Sequence, residues 1–297
     1  MAGARGLQAR RGLLGYLFAL PLLIVLAVAI LLPALYNTGV AFFRYNATRD
    51  SWRFAGLDNF TRLAESDTFW NSMAVTLVWV VGNVGLQLAL GLAVALALNH
   101  VVRFRGPFSA LLLVPWISSF VVVAILFLWI YHPQLGVLND ILLSLGVVER
   151  PVAWLASPGL AQFSLILANT WKFFPLVMIT LFTGLQDMPR DVIEAAAIDG
   201  ASRPQILRTI VVPLMAPSIA TAVLLATIWA FNAFTLPIIM TAGGPLRATE
   251  ILGLHIFKLA FDAFDFGGAA AAALVLFVMI LVMILLYLRI ADPERGT

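Results

Sequence analysis

Residues 194–214 read EAAAIDGASRPQILRTIVVPL, two acids and two arginines inside a chain that is otherwise almost wholly apolar. Pro189, just upstream, can open a helix because the first turn has no use for the N–H it lacks. Asp191 and Glu194 then complement the positive helix N-terminus. The helix should stop at Gly200, the residue type suited to a left-handed C-cap. Ser202, Arg203, Pro204 and Gln205 spell a capping box that starts a second helix at once, and Pro213 marks its exit. Ala195, Ala196, Ala197 and Ala201 keep the surface around the turn thin enough for another backbone to approach. Two readings stand side by side: an amphipathic connector resting on a membrane leaflet, or a rigid element that a partner grips.

The rest of the chain sets the context. Its 297 residues are 62% hydrophobic and 11% charged, with a mean hydropathy of +0.99, against roughly 25% charged in soluble domains. This is an integral membrane protein. Runs of about 20 apolar residues cross a bilayer as helices, and six are expected: Leu13–Leu35, Ser72–Leu98, Phe108–Tyr131, Ala161–Leu185, Pro217–Thr241 and Gly267–Ile290. The uncharged run from Gly12 to Tyr36 exceeds a secretory signal core of about 7–15 residues, so the first is read as a retained span. No connecting loop reaches the size of a separate soluble domain, and residues 1–297 are expected to form one membrane domain.

Basic residues orient such a bundle, with the excess on the cytoplasmic side. Arg5, Arg10, Arg11, Arg103, Arg105, Arg190, Arg203, Arg208, Arg289 and Arg295 fall on the side of both termini; Arg44, Arg49, Arg53, Arg62, Arg150, Arg247 and Lys258 fall opposite. Both termini and the 194–214 stretch are therefore expected in the cytoplasm. The net charge of +3 is scattered over short loops, which makes nucleic-acid binding a poor reading. The chain has no cysteine, which excludes disulfides and thiolate chemistry. His100, His132 and His255 are dispersed and form no metal-ligand pattern. In the first outer loop Leu57, Phe60, Leu63 and Ala64 recur at helical spacing behind Asp58, a potential cap.

Polar groups at bilayer depth are costly and mark routes or helix contacts. Asn169, Lys172 and Phe173 share one face of the fourth span; Trp229, Asn232 and Ala233 repeat the spacing in the fifth. An amide beside an aromatic ring is chemistry for a sugar, the amide meeting hydroxyls and the ring meeting the pyranose face. The alternative is that Asn169 and Asn232 hydrogen-bond neighbouring helices and that Trp116 packs or anchors. Lys172 could equally hold a backbone carbonyl or a partner's acid. Asn83 and Gln87, four apart, read as interhelical links. Lys172 and Lys258 are followed by Phe173 and Leu259, so a phosphate-binding loop ending in Gly-Lys and Ser or Thr is absent. The acids lie in loops or at span ends, which disfavours the competing class, an ion-coupled secondary transporter. No cluster of His, Asp and Glu marks an enzyme.

At this point the residues themselves resemble a family. Glu194, Ala195, Ala196, Asp199, Gly200, Ala201, Ile210 and Pro213 are similar to the EAA loop of permease subunits of bacterial ABC importers, and the lead-in GLQDMPRDVIEAA from Gly184 resembles their maltose and glycerol-phosphate type. GLDNF from Gly56, FW at Phe69, PW at Pro115, GVLND from Gly136, NTWKFFP from Asn169 and TAGGP from Thr241 extend the likeness over most of the chain. Val75 stands where relatives often keep asparagine, and Ser119 where many have proline. The resemblance implies an all-α fold of six transmembrane helices and a coupling helix pair in residues 186–215, docked by Ala197 and its neighbours into an ATPase groove. It implies a non-enzymatic subunit that binds no cofactor itself and works with a second homologous permease. Two ATP-binding subunits holding ATP and magnesium, and an extracytoplasmic sugar-binding protein, would complete the assembly in a bacterial inner membrane. Trp116, Asn169, Phe173, Trp229, Asn232 and Ala233 lie close to positions that line the sugar site in maltose-type permeases.

Overall fold

The structure, a computed structural model, describes residues 18–46, 51–100 and 105–291. Arg5, Arg10, Arg11, Arg49, Arg103 and Arg295, and positions 13–17 of the first expected span, lie outside the described residues. By their contacts the residues divide into two compact units.

The first unit joins the chain up to Glu65 with Ile256–Val275. It contains α1 (Phe18–Val40), an apolar helix of 23 residues, about 35 Å at 1.5 Å per residue and so long enough for a bilayer. An antiparallel hairpin follows, β1 (Phe43–Asn46) with β2 (Ser51–Phe54). Its signal was present in the sequence as alternating Phe43, Arg44, Tyr45 and Trp52, Arg53, Phe54, a period of two; Tyr45 stacks on Trp52 with centroids 4.3 Å apart. Helix α2 (Asp58–Ala64) is where the 57–64 periodicity places it, but Leu57 is the N-cap and Asp58 lies inside the first turn. Asp58 instead accepts from Arg44 at 2.6 Å. Asn59 is fully buried and its amide donates to the carbonyls of Ala41 and Phe43 at 2.8 and 2.9 Å, tying helix to hairpin.

The second unit covers Ser66–His255 and the chain after Val275. Its centre is α3 (Asp67–His100) packed along α7 (Pro158–Gln186). Bundles in lipid rely on close van der Waals approach at small residues, and here Gly82 faces Ile166 and Gly91 faces Val177 and the Met178 backbone. The third expected span is broken: α4 (Arg105–Ile117) and α5 (Phe120–Ile130) meet at 92°. Ser119 is extended at ψ 144, so the bend forms with no proline at that position. A short α6 (Val137–Ser144) is clamped by buried Asn139, which donates to Pro133 and Val152 and accepts from Val152 and Trp154.

Helices α8 (Arg190–Ile198) and α9 (Arg203–Leu214) come next, the latter bent 70° from α10 (Ala216–Asn232). The fifth expected span does not run through to Thr241. Ala233 is extended, at φ −86 and ψ 96, and α11 (Thr235–Thr241) restarts beyond it. Helix α12 (Leu252–Phe261) and the long α13 (Phe266–Ala291) end the described chain. Among the described residues four helices are long and apolar enough to cross a membrane, or six if each bent pair is one span.

The Gly91 contact gives a test. A β-carbon there would meet Val177 Cγ1 at 2.8 Å and the Met178 nitrogen at 3.1 Å, so Gly91→Ala should destabilise the detergent-solubilised protein by about 1–3 kcal/mol. Val177→Ala in the same chain should recover part of the loss in thermal midpoint, because it removes the nearer clash.

Candidate functional site

Two groups of residues singled out in the sequence occupy distinct places in the second unit. The first is the polar helix pair. Helix α8 ends as a Schellman motif: Gly200 N–H bonds the Ala197 carbonyl at 3.2 Å and Ala201 N–H the Ala196 carbonyl at 3.0 Å. Gly200 adopts φ +84 between them, a conformation that glycine enters without the penalty other residues meet. At the start of α9, Gln205 Oε1 accepts from the Ser202 backbone N–H at 2.8 Å, closing the capping box. The turn is thus fixed at both ends by local hydrogen bonds.

The pair is also tied to the bundle. Ile206 and Val211 are buried with Leu181, Leu185 and Met215, and Ile193, Ala196 and Ala201 pack against that cluster; Ile210 is half-buried. Ala195, Ala197, Asp199 and Pro213 face outward. Ile198 is 86% exposed, an apolar knob beside the glycine turn that sequence reading did not single out. Its signal was its place as the one large apolar residue next to the Asp-Gly turn. Glu194 departs from expectation. Helix α8 begins at Arg190, so Asp191 is the acid of the first turn and Glu194 lies a turn further in, where the end dipole has largely faded.

The second group surrounds the two breaks. At the α4–α5 break the carbonyls of Trp116 and Ser118 have lost the helical donors they would otherwise meet. Lys172, from the middle of α7, donates its ammonium to both, at 3.2 Å to Trp116 O. The same nitrogen lies 4.5 Å from the Phe120 ring centre, a cation–π geometry. Of the alternatives for Lys172, the backbone-carbonyl pairing is the one present. At the second break Trp79 Nε1 donates to the Ala230 carbonyl at 3.0 Å.

Phe173 bridges the two breaks, with its ring 5.7 Å from Phe120 and 5.4 Å from Trp229. Trp229 is 42% exposed and Trp116, whose carbonyl Lys172 holds, 40%. Asn232 is exposed at the end of α10, its amide donating to Ile228 O in its own helix at 2.8 Å; Ala233 is buried within the break itself. Asn169 does not join them. It is 0% exposed and donates to Asn83 Oδ1 at 2.7 Å, while Gln87 reaches the same oxygen at 3.3 Å. In this conformation Asn169 and Asn83 form an interhelical link, whereas the Gln87 bond stays within α3 and reaches α7 only through the shared Asn83 oxygen. Ser118 and Phe120 were missed in the sequence; the paired serines interrupting an apolar run were the available signal.

Comparison with known proteins places this geometry in context. Residues 87–293 match the family described as binding-protein-dependent transport system inner membrane component. The chain is 36% identical to the trehalose/maltose transport system permease protein MalF of Thermococcus litoralis, over 96% of this chain and 95% of that protein. It is 32% identical to the sulfoquinovosyl glycerol transport system permease protein SmoG of Agrobacterium fabrum, over 94% and 90% respectively. Among solved structures, a chain of a bacterial ABC transporter involved in import of the acidic polysaccharide alginate superposes with a TM-score of 0.81, covering 98% of each chain at 23% identity.

Replacing Lys172 by Met keeps the length of the side chain and removes the donor, leaving the Trp116 and Ser118 carbonyls bare. We expect a loss of about 1–3 kcal/mol in stability of the detergent-solubilised protein, read as a fall in thermal midpoint. Lys172→Arg should lose less.

Proposed function

The chain belongs to the family of binding-protein-dependent transport system inner membrane components, and we propose that it is one permease subunit of a carbohydrate importer driven by ATP hydrolysed on other subunits. Family membership makes it a multi-pass membrane protein of a transport system. Our reading adds that the whole chain acts as one permease domain and that a second homologous permease completes the pathway. Two ATP-binding subunits would hold ATP and magnesium, an extracytoplasmic sugar-binding protein would deliver the solute, and membrane lipid would surround the bundle. Both termini and the 186–215 loop are assigned to the cytoplasm on the excess of arginine there.

The observation that carries this reading is the helix pair at Gly200. One face, through Ile206 and Val211, is bound into the bundle, and the other presents Ala195, Ala197 and Ile198 outward. A lever needs both: an anchored side that moves with the spans and a capped, rigid side that a partner can push. We assign Glu194, Ala195, Ala196, Ala197, Asp199, Gly200, Ala201, Ile210 and Pro213 to coupling. Carbohydrate as the cargo is supported by the named cargo of the relatives and by partly exposed Trp229 in ring contact with Phe173, with partly exposed Trp116 at the first break. Lys172 would hold the break in shape beneath them, and Asn232 and Ala233 would edge the site. Ion coupling finds no support: α7 and α10 carry no acid.

Gly200→Val forces a β-branched residue into positive φ and should abolish substrate-stimulated ATPase activity while the protein still inserts; normal stimulation would refute the coupling assignment. Because the chain has no native cysteine, a single Ala197→Cys paired with a cysteine in the ATPase groove offers a clean crosslink, whose yield should change on adding ATP. No crosslink from any position between Glu194 and Ser202 would return the stretch to a leaflet-bound connector. Glu194→Gln, remote from the helix end, should change complex stability by less than about 0.5 kcal/mol unless the carboxylate meets the partner directly.

A further inference from the structure

The face of α7 that carries Phe173 continues toward the coupling loop through Thr180 and Asp187, at seven-residue steps that return to the same side of a helix. On α10, Thr221 and Ser218 lie eight and eleven residues from Trp229, on the face that holds that indole. These two faces meet. Between them runs an open surface groove of ≈ 360 Å³ whose lining includes Thr180, Thr183, Gly184, Asp187, Ser218 and Thr221. Gly184 sets the spacing, since a β-carbon there would run into the Ser218 side chain. Thr180 lies about 10 Å along α7 from Phe173, and Thr221 about 12 Å along α10 from Trp229.

The chemistry of the lining is specific. Thr180, Thr183 and Thr221 each donate their hydroxyl proton to the carbonyl four residues back in their own helix, at 2.9, 3.0 and 2.9 Å. Their donors are therefore occupied, and what each oxygen still offers is acceptor capacity. A solute rich in O–H groups can donate to such a row, one weak bond at a time. Between Lys172 and Asp187 helix α7 has no charged residue, and α10 has none at all. The first charge met at the loop end is the Asp187 carboxylate, which repels anions. Weak, repeated sites suit passage better than one tight site, which would hold the solute.

We propose that this cleft is the exit leg of the pathway, a low-affinity track of hydroxyl acceptors for uncharged polyhydroxy solutes, running from the Phe173–Trp229 pair to the coupling-loop end of α7 and α10. This rests on the permease reading given above, and the experiment separates the two.

In the assembled importer, Thr180→Cys and Thr221→Cys are treated, in inside-out membrane vesicles, with a membrane-impermeant cationic thiosulfonate. Both should be modified, and Leu286→Cys, on the apolar surface of α13, should not. In whole cells, the triple variant Thr180→Val, Thr183→Val, Thr221→Val should lower uptake of a neutral sugar about tenfold or more per assembled complex, from the loss of three acceptors. Complex assembled is measured on a sizing column. Unreactive cysteines, or uptake within about twofold of the parent, overturn the exit track and mean that lipid or a partner helix covers the cleft. Absence of uptake by the parent importer, with its cognate binding protein and every sugar that protein binds, overturns the permease reading instead.

Discussion

A backbone carbonyl inside a bilayer has no water to fall back on, and the bundle is organised around that constraint. Two of its expected spans break, at Ser118–Ser119 and at Ala233. The first break frees the Trp116 and Ser118 carbonyls, and at the second the Ala230 carbonyl keeps only a long bond of 3.3 Å from the Ala233 N–H. The repairs come from other helices: the Lys172 ammonium reaches Trp116 and Ser118, and the Trp79 indole N–H reaches Ala230. These contacts tie α7 to the first break and α3 to the second. Non-helical backbone is tolerated at depth only where protein or a cavity can satisfy it, so the breaks sit where the helices converge around Phe173.

That arrangement explains why the polar inventory of the spans is so small and so placed. Lys172 spends its charge on two carbonyls and the Phe120 ring, which leaves no need for a buried acid. Asn83, Gln87 and Asn169 form one amide group that joins α3 to α7 where Gly82 already brings their backbones close. The exposed side chains in the same region are Trp116, Trp229 and Asn232, large or polar groups at the edges of the breaks. Further along α7 and α10 the surface changes to hydroxyls, and the charge returns at Asp187. Aromatic faces near the breaks and hydroxyl acceptors below them are consistent with a solute that is polar, uncharged and never held tightly.

The helix pair at the other end follows a different logic. Its geometry is fixed within a dozen residues by the Schellman closure at Gly200 and the Ser202–Gln205 box, whereas its attachment depends on Ile206 and Val211 entering the core beside Leu185 and Met215. Rigidity is local; leverage is tertiary. In the coupling role proposed for it, such a pair would transmit motion because the turn has few soft torsions left and the anchored face cannot slip without opening packed apolar contacts.

The same division runs through what was legible in the sequence. The long apolar runs, the stop at Gly200, the capping box and the helical periodicity at 57–64 were all readable, because helix ends and faces depend on interactions among residues a few positions apart. The EAA stretch and its companion motifs carry the family resemblance within the sequence itself. The hairpin carried a period-two aromatic signal in a run too short to outweigh its apolar surroundings. What only the tertiary structure decided is who meets whom across many residues: Lys172 with Trp116, 56 positions away, Asn169 with Asn83, 86 away, and Trp79 with Ala230, 151 away. The breaks belong to the same class, since the carbonyls at Trp116, Ser118 and Ala230 find donors on other helices, from Lys172 and Trp79. For that reason Asn169, which sequence spacing set beside Phe173 on one face, turns out to hold α3 while its neighbour faces the breaks.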